Sequence, residues 1–185
     1  MNLGVLIWGI AAGILGLIVI FMYNHLVSLK NKAHNALSNI DVQLKKRYDL
    51  IPQLVDAVKG YMQHEKELLE KITALRSRAA SNNLSDDQKV DINNQLSRAI
   101  GQVMVNVESY PDLKASNNFM HLQRSLTEVE EQLSASRRSF NMSVTQLNTT
   151  IEKFPSNIIA NIFGFKKQQL FEATGTERHA VSLDM

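Results

Sequence analysis

The chain has 185 residues, of which 21% are charged, and its formal net charge is +2. This length suits one domain with an appendage, and so small a net charge does not indicate a protein that binds nucleic acid. The chain contains no cysteine, which excludes disulfides, thiolate metal sites, a cysteine nucleophile and a bacterial lipoprotein anchor.

Residues 3–23, "LGVLIWGIAAGILGLIVIFMY", carry no charge. A helix of about 20 apolar residues crosses the roughly 30 Å hydrocarbon core of a bilayer. A cleaved signal peptide would be expected to have a basic leader, a shorter apolar run and a small-x-small cleavage site. No such site follows, in "FMYNHLV". The run therefore predicts a retained transmembrane helix after a short amino-terminal tail at residues 1–2.

The flanks of this span set its predicted orientation. Basic residues follow the span, beginning with Lys30 and Lys32, and none precedes it. Because Lys and Arg near a span favour the cytoplasmic side, we expect the amino terminus outside and the carboxy-terminal part of the chain in the cytoplasm.

Small residues within the span form a candidate self-association face. They follow the small-xxx-small spacing that lets transmembrane helices approach closely, and they are Gly9, Ala12, Gly13 and Gly16. The same spacing also arises by chance in glycine-rich spans, so self-association and coincidence both remain open.

A heptad pattern follows the span. From Ala33 to Ala79 apolar residues recur at alternating steps of four and three, interrupted only by Arg47 and Glu65. This spacing predicts a long helix whose apolar seam packs against other helices.

Pro52 lies within that pattern. In a helix interior, proline removes one hydrogen bond and clashes with the carbonyl four residues earlier, here that of Tyr48, at a cost of about 3 kcal/mol. Burial of the seam on both sides favours one helix over residues 24–80, kinked near Pro52 and roughly 85 Å long. The alternative is a new helix that Asp49 caps.

Two further long helices are predicted. The stretch "ASNNLSDDQ" is typical of a turn and contains a capping box, which begins a helix over residues 85–108. Pro111 ends that helix, and a third covers residues 112–154 before Pro155 stops it. No segment alternates as a strand does. The predicted fold class is all-α: an N-terminal transmembrane helix followed by an elongated antiparallel bundle of long helices over residues 24–155.

A short amphipathic helix is predicted at residues 156–167, with Ser156 as its cap and Gly164 at its end. Its apolar face comprises Ile158, Ile159, Ile162 and Phe163. This face either packs over the end of the bundle or forms an interfacial or partner-binding element with Lys166 and Lys167 at its rim. Residues 168–185 have no periodicity and are expected to be a mobile tail.

The most concentrated positive charge is the run Lys45, Lys46 and Arg47. No stacking aromatic residues accompany it, so it is a weak indication of a nucleic-acid site. Arg47 differs from its neighbours because it lies on the apolar seam, where a charge needs a partner. That partner is either another protein's acid or an internal acid, for which the candidates are Glu128, Glu130 and Glu131.

Motifs for catalysis or metal binding are missing from the sequence. The segment "HEKEL" at His64 has Leu68 where a zinc-protease helix needs its second histidine. There is no phosphate-binding glycine loop and no GxSxG. We therefore predict no enzymatic activity, no cofactor and no metal; an unrecognised enzyme or metal protein is a minor alternative.

The sequence resembles the LemA family of bacterial membrane proteins. The resemblance covers nearly all of residues 23–172 through three blocks in the family's order. They are "YNHLVSLKNKAHNALSNIDVQLKKRYDLIPQLVDAVKGYMQHE", "YPDLKASNNFMHLQRSLTEVEEQLSASRRSFNMSVTQLN" and "IEKFPSNIIANIFGFKKQQLFE". Where the family usually has Trp before "IDVQLK", this chain has Leu37. The resemblance implies a bundle of long antiparallel helices at the bacterial inner membrane and no established enzymatic activity or cofactor.

The positions of this chain that match the family's motifs carry no catalytic role. They are Asp41, Gln43, Leu44, Lys46, Arg47, Asp49, Leu50, Ile51, Pro52, Leu54, Val55, Lys59, Gly60, Tyr110, Pro111, Leu113, Lys114, Phe119, Leu122, Gln123, Phe154, Pro155, Gly164 and Phe165.

Two functions are compatible with an anchored bundle that has no reaction centre. The first is a scaffold or adaptor that binds other membrane or cytoplasmic proteins through the run at 45–47 or the helix after Pro155. The second is a self-assembling homo-oligomer that organises the membrane, through the small-residue face and the remaining seam surface.

Overall fold

The computed structural model describes residues 3–81 and 86–171. Over these ranges it contains six α-helices and two 3₁₀ turns and no strand, so the all-α prediction is confirmed. The chain divides into two compact units, although a single bundle over residues 24–155 was expected. One unit is formed by residues 3–40 and 135–171, and the other by residues 41–81 and 86–134.

The first helix, α1, covers Leu3–Val58 and runs through Pro52 without a break. The alternative of a new helix beginning at Asp49 is therefore wrong. The prediction that this helix extends to residue 80 is also wrong, because it ends at Val58 and the chain turns. Gly60 lies in that turn, and glycine costs a helix about 1 kcal/mol relative to alanine.

The turn after α1 brings a second helix onto the same core. A 3₁₀ turn at Gln63–Glu65 leads to α2, which covers Lys66–Ala79. Met62 in the turn is fully buried, whereas Tyr61, a predicted seam residue, is exposed. Changing direction here lets apolar residues from both sides of the turn share one core, which a single straight helix would separate.

The remaining helices of this unit are α3 at Asp86–Asn106, a 3₁₀ turn at Val107–Ser109, α4 at Pro111–Lys114 and the first part of α5 at Asn117–Glu152. The core of the unit consists of Ile51, Leu54, Val58, Met62, Leu68, Leu69, Ile72, Leu75, Ile92, Leu96, Ala99, Ile100, Val103, Val107, Leu113, Phe119, Leu122 and Leu126.

The predicted third helix is interrupted near its start. Pro111 begins α4, and the chain bends before α5. The carbonyl of Ser116 accepts the amide of Met120 at 3.0 Å, so Ser116 is the residue just before α5, a position that favours serine. The bend allows both Leu113 and Phe119 to enter the core.

In the other unit, the later part of α5 packs with the early part of α1 and with α6. Helix α6 covers Ser156–Ile162 and is shorter than the predicted 156–167. It ends at Gly164, whose φ of +71° lies in the left-handed region that favours glycine. The amide of Phe165 donates to the carbonyl of Ala160 at 2.9 Å, which is the closing bond of a Schellman-type end.

A segment with no regular secondary structure follows α6, and side chains of α5 bond to its backbone. The amide group of Asn148 donates to the carbonyl of Gln168 at 2.8 Å and accepts from its N–H at 2.9 Å. Asn141 pairs in the same way with Phe171, at 3.0 and 2.8 Å. Residues 168–171 are thus fixed, contrary to the predicted mobile tail, and the rest of that tail lies outside the described residues.

Candidate functional site

Arg47 forms the centre of a buried polar cluster between α1, α3 and α5. Its side chain is fully buried. The Nη1 group donates to Ser97 Oγ at 2.7 Å and to Glu130 Oε1 at 2.9 Å, while Nη2 donates to Asn93 Oδ1 and, at 3.4 Å, to the Asn93 carbonyl. The predicted internal ion pair is therefore confirmed, with Glu130 as the acid. The interpretation that another protein supplies the acid is wrong, because Arg47 does not reach the surface.

Tyr48 extends the same cluster. Its hydroxyl donates to Asn93 Oδ1 at 2.7 Å, and Asn93 Nδ2 donates in turn to the Lys89 carbonyl at 2.8 Å. Burial raises the pKa of Tyr48, and this outweighs the lowering effects of the Asn93 bond and the Arg47 charge. A phenol with a raised pKa remains neutral and donates a hydrogen bond at physiological pH. The arrangement fixes three helices to one another and leaves no reactive group.

Pro52 explains a further contact that sequence reasoning missed. A proline has no N–H, so the carbonyl of Tyr48, four residues earlier, has no partner within the helix. Arg76 of α2 supplies one, since its Nε donates to the Tyr48 carbonyl at 2.8 Å. The signal in the sequence was the proline itself, which leaves a carbonyl that requires a donor from elsewhere.

The two lysines beside Arg47 lie at the surface. Lys45 is exposed and pairs with Asp49 one turn later at 3.2 Å, and Lys46 is also exposed. Exposed pairs of this kind contribute little to stability. Of the predicted basic run, only these two side chains remain accessible to a partner.

The small-residue face of the span is open. Gly9, Ala12, Gly13 and Gly16 are all exposed, and a Cβ added to any of the three glycines would meet no heavy atom within 4 Å. The most apolar 18-residue window of α1 has a mean hydropathy of 2.1 and is only 6% buried. This helix is therefore a candidate membrane span.

The four apolar residues predicted to share a face of α6 differ in burial. Ile159 is buried together with Ala160, while Ile158, Ile162 and Phe163 are 49%, 69% and 52% exposed. The buried side of α6 centres on Ile159 and Ala160, and the ring of Phe163 lies 4.8 Å from that of Tyr23, whereas Ile158 and Ile162 form the more exposed part of the predicted face. Lys166 and Lys167 are exposed, and Lys167 pairs with Glu152.

An apolar cleft of about 670 Å³ lies between the end of α1 and one side of α2. Its lining is Val55, Lys59, Met62, Gln63, Lys66, Leu69, Glu70, Thr73, Ala74 and Ser77. The sequence did not indicate it, since it depends on the turn after Val58. Its apolar floor and charged rim are suited to an apolar side chain or helix from a partner.

The motif positions divide by burial. Buried are Arg47, Ile51, Leu54, Leu113, Phe119 and Leu122; half-buried are Gln43, Leu44, Leu50, Val55, Tyr110 and Phe165; exposed are Asp41, Lys46, Asp49, Pro52, Lys59, Gly60, Pro111, Lys114, Gln123, Phe154, Pro155 and Gly164. Among the described residues, no group of three or more His, Asp or Glu side chains is arranged to hold a metal ion.

The chain is similar in sequence to the LemA family and to magnetosome proteins. A sequence model of the LemA family matches residues 36–184. Protein LemA of Metamycoplasma hominis is 28% identical over 174 residues, which are 94% of this chain and 80% of that protein. Magnetosome protein MamQ of Magnetospirillum gryphiswaldense is 34% identical over 73 residues, and Magnetosome protein MamQ 2 of Paramagnetospirillum magneticum is 34% identical over 74 residues. Each of these two matches covers 40% of this chain and 27% of the relative.

Proposed function

The chain belongs to the LemA family, and we propose that it is a non-enzymatic, membrane-anchored helical scaffold or adaptor that organises partner proteins at the bacterial inner membrane. The observation that carries this proposal is the continuity of α1. One uninterrupted helix contains both the candidate span and the core residues Ile51 and Leu54. The candidate span and these core residues therefore belong to one helix, with no loop between them.

We propose the apolar cleft between α1 and α2 as the docking place. Met62 and Leu69 are buried there and supply the apolar floor, and the rim carries Lys59, Lys66 and Glu70. Apolar contacts at the centre of an interface contribute most of its binding free energy, and the charged rim contributes to orientation.

The test is mild solubilisation from native membranes, followed by measurement of particle mass and identification of all components. Ala74→Glu puts a charge into the cleft at an exposed position, and Ala115→Glu is the matched control at an exposed alanine outside it. The proposal predicts a stoichiometric second protein that Ala74→Glu removes and Ala115→Glu retains. Single subunits with nothing attached would contradict it.

Self-assembly is the second candidate function, favoured by the exposed small-residue face of the span. It predicts a defined homo-oligomer in the same preparation, whose mass Gly9→Leu and Gly13→Leu reduce. A leucine adds bulk where close helix approach needs none, and Ile10→Leu in the same turn provides a volume-conserving control.

We further propose that the amino terminus is outside and the carboxy-terminal part is cytoplasmic. Because the chain has no cysteine, a single introduced thiol reports orientation without background. Ser182→Cys is expected to resist a membrane-impermeant maleimide in intact cells, and Asn2→Cys is expected to react. The reverse result would invert the orientation.

A further inference from the structure

The surface of α6 that faces away from its core is apolar. Ile158 and Ile162, one helical turn apart, are 49% and 69% exposed, and Phe154, just before the helix, is 81% exposed. We call these three residues the outer face of α6. Single exposed apolar residues are ordinary on protein surfaces, whereas a group of them marks a contact.

The inner side of α6 packs on the last part of the candidate span. Ile159 and Ala160 belong to one core with Leu26 and Leu29, and Val19 and Met22 pack against that core. The ring of Tyr23 lies 4.8 Å from that of Phe163 and 5.9 Å from that of Phe165. Helix α6 is therefore level with the end of the apolar run and the first turns of α1 that follow it.

The depth in the bilayer at which the apolar run ends follows from the length of that run. Residues 3–23 rise about 1.5 Å each in a helix, or roughly 30 Å in all, which matches the hydrocarbon core. Val19 and Met22 then lie just inside the core boundary and Tyr23 at it. Aromatic residues concentrate at this boundary, and exposed Lys153 and Lys166 flank α6, where they are suited to anionic headgroups.

We infer that the outer face of α6 inserts into the cytoplasmic-side interface of the bilayer, so that α6 is a second membrane-contacting element beside the span. The occupant of the outer face is lipid. This inference rests on the proposed membrane anchor, because the depth of α6 is set by the span against which it packs.

The experiment measures the depth of two indoles in the full chain reconstituted into phosphatidylcholine and phosphatidylglycerol vesicles. Trp8 is the sole tryptophan and reports the span in the unmodified chain. A Trp8→Phe, Ile162→Trp variant reports the outer face of α6. A Trp8→Phe, Met142→Trp variant is the control, because Met142 is an exposed apolar residue of α5, away from α6 in sequence.

Brominated lipids quench indoles at the depth of the bromine atoms. We expect at least twofold quenching of the Ile162→Trp indole, stronger with bromine near the headgroups than deep in the chains, and no quenching of the Met142→Trp indole. An unquenched Ile162→Trp indole beside a quenched Trp8 would overturn the inference and leave the anchor intact. A blue-shifted but unquenched indole at that position would mean that protein covers the face, which also overturns it. An unquenched Trp8 would overturn the anchor itself, and this inference with it.

Discussion

The contact between Arg76 and the carbonyl of Tyr48 gives a double-mutant prediction about Pro52. Because Pro52 cannot donate to this carbonyl, Arg76 is its partner, at 2.8 Å. Replacing Arg76 with Met keeps most of the aliphatic stem and removes the donor. Replacing Pro52 with Ala restores an N–H at position 52, which makes the arginine's donation redundant.

The expected magnitudes follow from the environment of the bond. Hydrogen bonds to charged groups contribute about 1.5–3 kcal/mol, and this bond is only partly buried, so we take about 1.5 kcal/mol, or roughly tenfold. Arg76→Met should therefore speed local opening of α1 about tenfold when Pro52 is present. In the Pro52→Ala background the same change should cost about 0.5 kcal/mol or less, since the restored amide satisfies the carbonyl.

Hydrogen–deuterium exchange of the full chain in detergent measures this opening at the amides of residues 53–58. Arg78→Met is the control, because Arg78 is exposed on the same helix and should leave exchange unchanged. If Arg76→Met accelerates exchange by the same factor in both backgrounds, the proposed role of the Tyr48 carbonyl is refuted.

Three further predictions concern the polar contacts. Glu130→Gln leaves Arg47 buried without an anion and should lower the free energy of unfolding by about 2–3 kcal/mol. This loss is below the usual range for buried pairs because Glu130 is partly exposed. Adding Arg47→Met to this variant should recover part of the loss, measured by urea unfolding followed by circular dichroism. Asn148→Ala should speed amide exchange at Gln168, and unchanged exchange would contradict the contact. The pKa of Tyr48 is raised in the folded state. The contribution of Tyr48 to stability is therefore complete below the unfolded-state pKa of about 10 and is lost as pH rises through the folded-state pKa. Tyr48→Phe should flatten the fall in thermal stability at alkaline pH, measured by thermal melting.

Features that local chemistry determines were predictable from the sequence. Helical spacing and the absence of strand alternation gave the all-α class, and a charge on an apolar seam required the acid that Glu130 provides. Gly164 ends α6 as expected, because only glycine adopts its φ without strain.

Features that tertiary packing determines were not predictable. The heptad pattern continues through the turn after Val58, because both sides of the turn face one core, so periodicity alone gave no sign of the break. The buried side of α6 depends on which surface of α1 and α5 it meets. The bonds from Asn141 and Asn148 join side-chain amides to a backbone, and such bonds leave no periodic pattern in the sequence.

The spacing of these two asparagines determines the register of the segment that they hold. They are seven positions apart in α5, about 10.5 Å at 1.5 Å per residue, and they pair with residues three positions apart, which a backbone rising 3.4 Å per residue would separate by about 10 Å. The two lengths agree, and the segment runs antiparallel to α5. Inserting or deleting one residue between Gln168 and Phe171 would displace one pair by about 3.4 Å, more than a hydrogen bond tolerates. The spacing of the two asparagines on α5 therefore matches the spacing of their partners along the segment. We expect an insertion or deletion in either to need a matching change in the other.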